Sequence, residues 1–311
     1  MTQWNAATPS QPGTRRLSLR TKIALVAGVV VLILAIIAIA VYWFFGRHRP
    51  VVLPFTGLNE AYGVAVDGAG NIYVTDDANN QVLELPKGAT SQVVLPFTGL
   101  NKPFGVAVDG AGNVYVADSY NSRVLKLPKG STSQVVLPLT GLNRPIGVAV
   151  DSIGNLYVTD FSAGQVLKLP AGSANQIVLP FTGLHSPGGV AVDAAGDVYV
   201  VDRVDPASWT NGRLLKLPAG STTQTQVSAP AAAEWTQCPS QTVAMDTAST
   251  VYILCGDYRV YKLPTGADHW TALPFTDLGD DPGLAVDAAD NLYLTRGPQV
   301  LKLPAHESSL F

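Results

Sequence analysis

The chain repeats itself with a period of 42 residues. An aspartate closing a short apolar run stands at Asp67, Asp109, Asp151, Asp193, Asp246 and Asp287, so successive copies are 42, 42, 42, 53 and 41 residues apart. A fixed period of this size marks an architecture made by stacking one supersecondary unit on itself. Within each copy, four runs rich in β-branched and aromatic residues are separated by turn residues. In the second copy they are "GVAV" (105–108), "NVYVAD" (113–118), "RVLKL" (123–127) and "VVLPL" (135–139), with "DGAGN" and "PKGSTS" as turns. After Phe45 no stretch places apolar residues at helical spacing.

Four strands in about 42 residues make one blade of a β-propeller. "GVAV" is apolar on both faces, as a strand sandwiched between neighbouring blades must be, and its small side chains suit the crowded axis. Pro54, Pro96, Pro138, Pro180 and Pro274 fall in the fourth run. That run is therefore expected at the outer edge, where a missing N–H donor does no harm. The first copy is preceded by "VVLPF" (51–55), which has no earlier strand to join. The last copy has "GLAV", "NLYL" and "QVLKL" (299–303) but no fourth run. Residues 51–55 are thus expected to supply the outer strand of the last blade. The expected fold is all-β, a six-bladed propeller over residues 51–311 with four antiparallel strands per blade.

Charge divides the chain. The first 50 residues carry six basic and no acidic side chains; the rest carry 14 basic and 23 acidic ones, a net charge of −9. An acidic body lacks the basic stripe that nucleic acid requires. Residues 23–45, "IALVAGVVVLILAIIAIAVYWFF", hold no charge. As a helix they are long enough to cross a bilayer core of roughly 30 Å, with Tyr42, Trp43, Phe44 and Phe45 as an interfacial anchor. Four basic residues precede the segment and two follow it, which places residues 1–22 in the cytoplasm and the propeller outside, after a linker at 46–50. A cleaved signal peptide ending near Ala38-Ile39-Ala40 is the alternative. Cys238 and Cys255 both fall in the fifth copy. Outside the cytoplasm they can pair; reduced, buried thiols are the other reading.

"ADSYNSRVLKL" (117–127) resembles the motif of NHL repeats, a strand ending in Asp, then Asn-x-Arg, then an apolar strand; "DDANNQVLEL" (76–85) and "DFSAGQVLKL" (160–169) are looser versions. The chain is similar to the extracytoplasmic sensor propellers of PknD-like actinobacterial receptor serine/threonine kinases, which also follow one membrane helix. The resemblance implies a six-bladed propeller that binds something outside the cell. It does not carry over kinase activity, because residues 1–22 hold no Gly-rich loop, catalytic Lys or His-Arg-Asp motif.

Sites of chemistry are sparse. "GVAVDGAG" (63–70) has the glycine spacing of a phosphate loop but lacks its Lys and Ser/Thr, and it recurs as a strand and hairpin turn. Asp76, Asp118, Asp160 and Asp202 end the second strand of four copies. A carboxylate ring at the channel mouth could hold a cation; a turn aspartate accepting its own loop's amides is the favoured reading. Related six-bladed lyases use several histidines around the axis. Here only His185 sits at a repeat-equivalent position; His48, His269 and His306 do not. No Ser-His-Asp order or Gly-x-Ser-x-Gly elbow is present. No catalytic residue, metal or cofactor is assigned. A metal-dependent propeller lyase or lactonase, anchored or secreted, is the alternative function.

What varies between copies lies in two loop sets, one before the inner strand and one between strands two and three. They carry Tyr62, Lys102, Phe104, Tyr120, Arg144, Phe161, Arg203, Trp209, Tyr258, Arg259 and Arg296. Exposed aromatics and arginines confined to one face have the composition of a binding surface; drift in tolerant loops is the competing account. The expected function is recognition of a protein, a peptide or an envelope glycan by a membrane-held, non-enzymatic propeller.

Overall fold

The computed structural model describes residues 18–20, 27–37, 50–204, 212–230, 242–255, 259–273 and 283–305. The chain divides into two units, Met1–Arg47 and His48–Phe311. In the first, residues 27–37 are helical, and the remainder of 23–45 lies outside the described residues. Among the described residues no helix is long and apolar enough to cross a membrane. The membrane helix expected over 23–45 is therefore not shown.

The second unit is a ring of six four-stranded antiparallel sheets. The second blade runs outward through Pro103–Val108, Val114–Asp118, Arg123–Leu127 and Val135–Val136. The closing blade is made as the sequence requires. Val51–Val52 pairs antiparallel with Gln299–Leu303, Val51 opposite Lys302 and Val52 opposite Leu301. Joining the two ends of the ring in one sheet leaves no unpaired edge at the seam. Apolar packing runs between blades. Ala107, Tyr115 and Val124 of the second meet Val148, Val158 and Leu167 of the third, and Tyr293 and Val300 of the last meet Val64, Val74 and Leu83 of the first.

Each recurring word has a structural cause. The aspartate that sets the 42-residue register ties off the hairpin after the inner strand. Asp109 accepts bonds from the Ala111 and Asn113 amides, the Asn113 side chain and the Tyr115 hydroxyl. The same set recurs at Asp67, Asp151 and Asp287. Burial and the neighbouring carboxylate hold these tyrosines above their ordinary titration range; Tyr157 is pushed up to about 12. Across the strand pair a lysine covers the ring, Lys126 on Tyr115 at 5.2 Å and Lys168 on Tyr157 at 5.2 Å, which accounts for the repeated "LKL". A second tie joins neighbouring blades. Gln134 clasps Thr98, receiving its N–H at 2.9 Å and donating to its carbonyl at 2.9 Å, and Gln176 and Gln224 do the same to Thr140 and Thr182.

The outer strands are shorter than the fourth runs suggest. Each is two residues long, and the ladder continues by one bond, as from Leu95 N–H to the Val82 carbonyl. The prolines at 54, 96, 138 and 180 stand just beyond it, and Pro274 lies outside the described residues. Proline has no N–H to extend the ladder, and the chain instead folds into a tight turn in which Phe97 N–H donates to the Leu95 carbonyl at 2.8 Å.

Candidate functional site

The two variable loop sets are laced together in the first three blades. The residue after the strand-ending aspartate donates its amide to the loop preceding the inner strand: Asp77 to Glu60, Ser119 to Lys102 and Phe161 to Arg144. The aspartate itself locks the junction. Asp118 is fully buried and accepts from the Asn101 amide at 2.7 Å, the Asn121 side chain at 2.8 Å and Arg123 Nε at 2.7 Å. Asp202 accepts from the His185 and Ser186 amides and twice from Arg213. These carboxylates hold the turn that follows them, as the sequence reading has it, through the Asn121 side chain at Asp118 and the Ala163 amide at Asp160, and they also hold the incoming loop of their own blade, which that reading lacked. With their oxygens spent on these bonds, they form no cation ring at the channel mouth. The Asp-x-x-Asn-x-Arg pattern is this junction written in sequence.

The inner strand then aims the variable side chains. In the first three blades its pairing slips by a bulge at the same place, between Ala61 and Val64, Pro103 and Val106, and Pro145 and Val148. A bulge redirects side chains locally, and Tyr62, Phe104 and Ile146 sit on it. A glycine follows each, because the next blade is too close for a side chain. A Cβ on Gly147 would lie 2.5 Å from the Gly188 carbonyl oxygen.

At the loop-face end, the axial channel is lined by Tyr62, Ile146, Thr242 and a collar of glycines and valines, enclosing about 70 Å³. The other end widens to about 190 Å³ between Val, Ala, Met and Leu side chains. Among the described residues neither lining contains a carboxylate or an imidazole.

Beside this mouth, seven of the eleven expected residues converge on the first four blades. Tyr62 meets Phe104 edge to face at 4.4 Å. The Arg144 guanidinium lies over three rings, Phe161 at 4.9 Å, Tyr120 at 5.5 Å and Phe104 at 5.9 Å. Arg203, buried, lies over the Phe161 ring at 5.8 Å. Lys102, at the equivalent place one blade earlier, is paired with Asp77 at 2.5 Å and faces Glu60 at 4.0 Å, and these partners raise its pKa, the Asp77 bond most. Asp77 escaped sequence reasoning; its signal is the variable position after the strand-ending aspartate, held in the other blades by Ser119, Phe161 and Arg203.

Of the remaining four, two are described and stand elsewhere. Trp209 and Tyr258 lie outside the described residues. Arg259 and Arg296 are exposed on the fifth and sixth blades, and Arg296 donates to Gln299 at 3.0 Å. Cys255 is buried and disulfide-bonded; Cys238, the chain's other cysteine, lies outside the described residues. His185 stands 4.0 Å from Asp202, and His269 pairs with its exposed neighbour Asp268. Among the described residues no three His, Cys, Asp or Glu side chains are grouped to hold a metal.

A family model for the NHL repeat matches residues 100–127 and 142–169, in the second and third blades. No curated protein matches the sequence. Solved structures show the fold. A streptogramin B lyase structure is 12% identical, with a TM-score of 0.62 over 83% of this chain and 98% of that one. A gluconolactonase from Xanthomonas campestris is 17% identical, with a TM-score of 0.65 over 83% and 90%. A chain of the nidogen/laminin complex is 20% identical, with a TM-score of 0.57 over 69% and 79%. These comparisons support NHL repeats on a six-bladed propeller. They do not show the narrower likeness to kinase sensor domains; lyase and lactonase propellers stand in its place.

Proposed function

We propose that this chain is a recognition propeller whose ligand face is the loop face of blades one to four, held outside the cytoplasmic membrane by residues 23–45. One observation carries the reading: the side chains that differ between otherwise repeated blades meet in a single aromatic and cationic cluster around Arg144. The repeated residues are consumed in building the ring, and a rigid ring offers preformed loops for binding. The ligand is a protein or peptide, with an envelope glycan as the other class that such a surface accepts. Cross-linking in intact cells tests it. The full chain should capture a specific partner, and a Lys102→Ser, Tyr120→Ser variant should lose it; equal capture by both would remove the loop face from the reading. A phosphatase reporter fused to the C-terminus should be active only outside the cytoplasm.

The lyase and lactonase structures favour a second reading, an enzyme working at the channel. Among the comparisons this reading has the stronger support, but likeness at such low identity speaks for the fold alone. The described lining, without a carboxylate or an imidazole, is what favours recognition, since lactone opening or elimination needs an acid, a base or a metal ligand beside the substrate. Turnover of a lactone or lyase substrate that is lost on adding a chelator would establish the enzyme reading.

A further inference from the structure

Arg144 carries an unusual combination of features. It adopts a left-handed backbone, φ 70°, where only Asn, Asp and Gly sit comfortably. Three rings cover its guanidinium, and its Nε is buried without a hydrogen-bond partner. No carboxylate pairs with it among the described residues, although Lys102, its counterpart one blade earlier, has two acidic neighbours. An arginine kept for stability would have its donors satisfied. Half-buried and stacked, with Nε enclosed, the planar fork has its terminal Nη edge left for a bidentate anion.

We propose that Arg144 reads the free carboxylate of a peptide docked on the loop face. The proposal rests on the recognition reading above and names the group recognised. Arg144, with no carboxylate partner among the described residues of a domain of net charge −9, offers one guanidinium to a ligand group of single charge, which favours carboxylate over phosphate. The peptide follows from the recognition reading, and an acidic glycan is the alternative that the galacturonate probe tests.

The test uses the full chain and four probes: acetyl-Ala-Ala-Ala with a free C-terminus, the same peptide C-terminally amidated, galacturonate and inorganic phosphate. Binding is read by ligand-observed saturation-transfer NMR. The free peptide should bind and the amide should not. Arg144→Gln should weaken the free peptide about tenfold or more, the scale of a lost charged hydrogen bond. Arg144→Lys should fall between, and it should fold because Lys102 occupies the same place in the preceding blade at φ 52°. Equal binding of free and amidated peptide, binding of neither, or tighter binding of galacturonate or phosphate would overturn the proposal. Cellular capture separates the two levels. A partner retained by Arg144→Gln but lost by the Lys102→Ser, Tyr120→Ser variant overturns the carboxylate and leaves the face. Capture unaffected by either variant overturns both.

Discussion

Replacing Gly147 with alanine tests the claim that the inner-strand glycine exists for blade-to-blade approach. The added Cβ would lie 2.5 Å from the Gly188 carbonyl oxygen, 2.7 Å from Thr159 Oγ1 and 3.1 Å from the Val190 amide nitrogen. Two of these atoms are backbone of the next blade and cannot rotate away, so the blades must part by roughly half an ångström. The Gly147 amide also donates to Thr159 Oγ1 at 2.8 Å, and that hydroxyl donates on to the Gly188 carbonyl. Overpacking costs about 1–3 kcal/mol, and weakening the hydroxyl bridge adds about 1 kcal/mol. A loss of about 2–4 kcal/mol lowers the Tm of a domain this size by about 5–15 °C. The assay is urea and thermal unfolding followed by circular dichroism, with Gly110→Ala as the matched control. Gly110 has no atom within 4 Å of its would-be Cβ, and Ser152 fills the same place one copy later. The control should stay within about 0.5 kcal/mol of the parent. If Gly147→Ala is as mild as Gly110→Ala, the close-approach reasoning is wrong.

Asp118→Ala should destabilise by about 3–5 kcal/mol, because it strands Arg123 and the Asn101 amide around a fully buried site; urea midpoints check this, and Asp109→Ala, half-exposed, should cost less. Alkali should unfold the ring. The buried tyrosines keep their protons above the unfolded value near 10, so their stabilisation is complete below pH 10 and falls away as pH rises towards the folded values. Tyr157→Phe should lessen that alkaline loss by about 1–3 kcal/mol in urea titrations at pH 8 and pH 11. Converting Val51 and Val52 to proline should remove the pairing to Gln299–Leu303 that closes the ring and bring a large fall in Tm; the same change at Val135 and Val136, in an outer strand away from the seam, should cost less.

The blade count, the strand order and the ring closure are legible in the sequence because a period of 42 residues and a missing fourth run are properties of the chain as written. The NHL motif was legible for the same reason, since Asp118, Asn121 and Arg123 are close in sequence and bond within one junction. The positions that vary between copies were legible too, because comparing the copies needs no structure. Its geometry was not readable, because Arg144 touches Phe104 and Tyr120 of another blade, and sequence separation carries no record of how neighbouring blades face each other. The Gln–Thr clasps and the threonine bridge from Thr159 to Gly188 were missed on the same ground: their partners belong to different copies. Repetition determined the scaffold because each blade solves the same local problem of hairpin, cap and edge. Only the tertiary structure decided which unrepeated side chains meet, since closing the ring fixes the distances between loops that the chain itself leaves tens of residues apart.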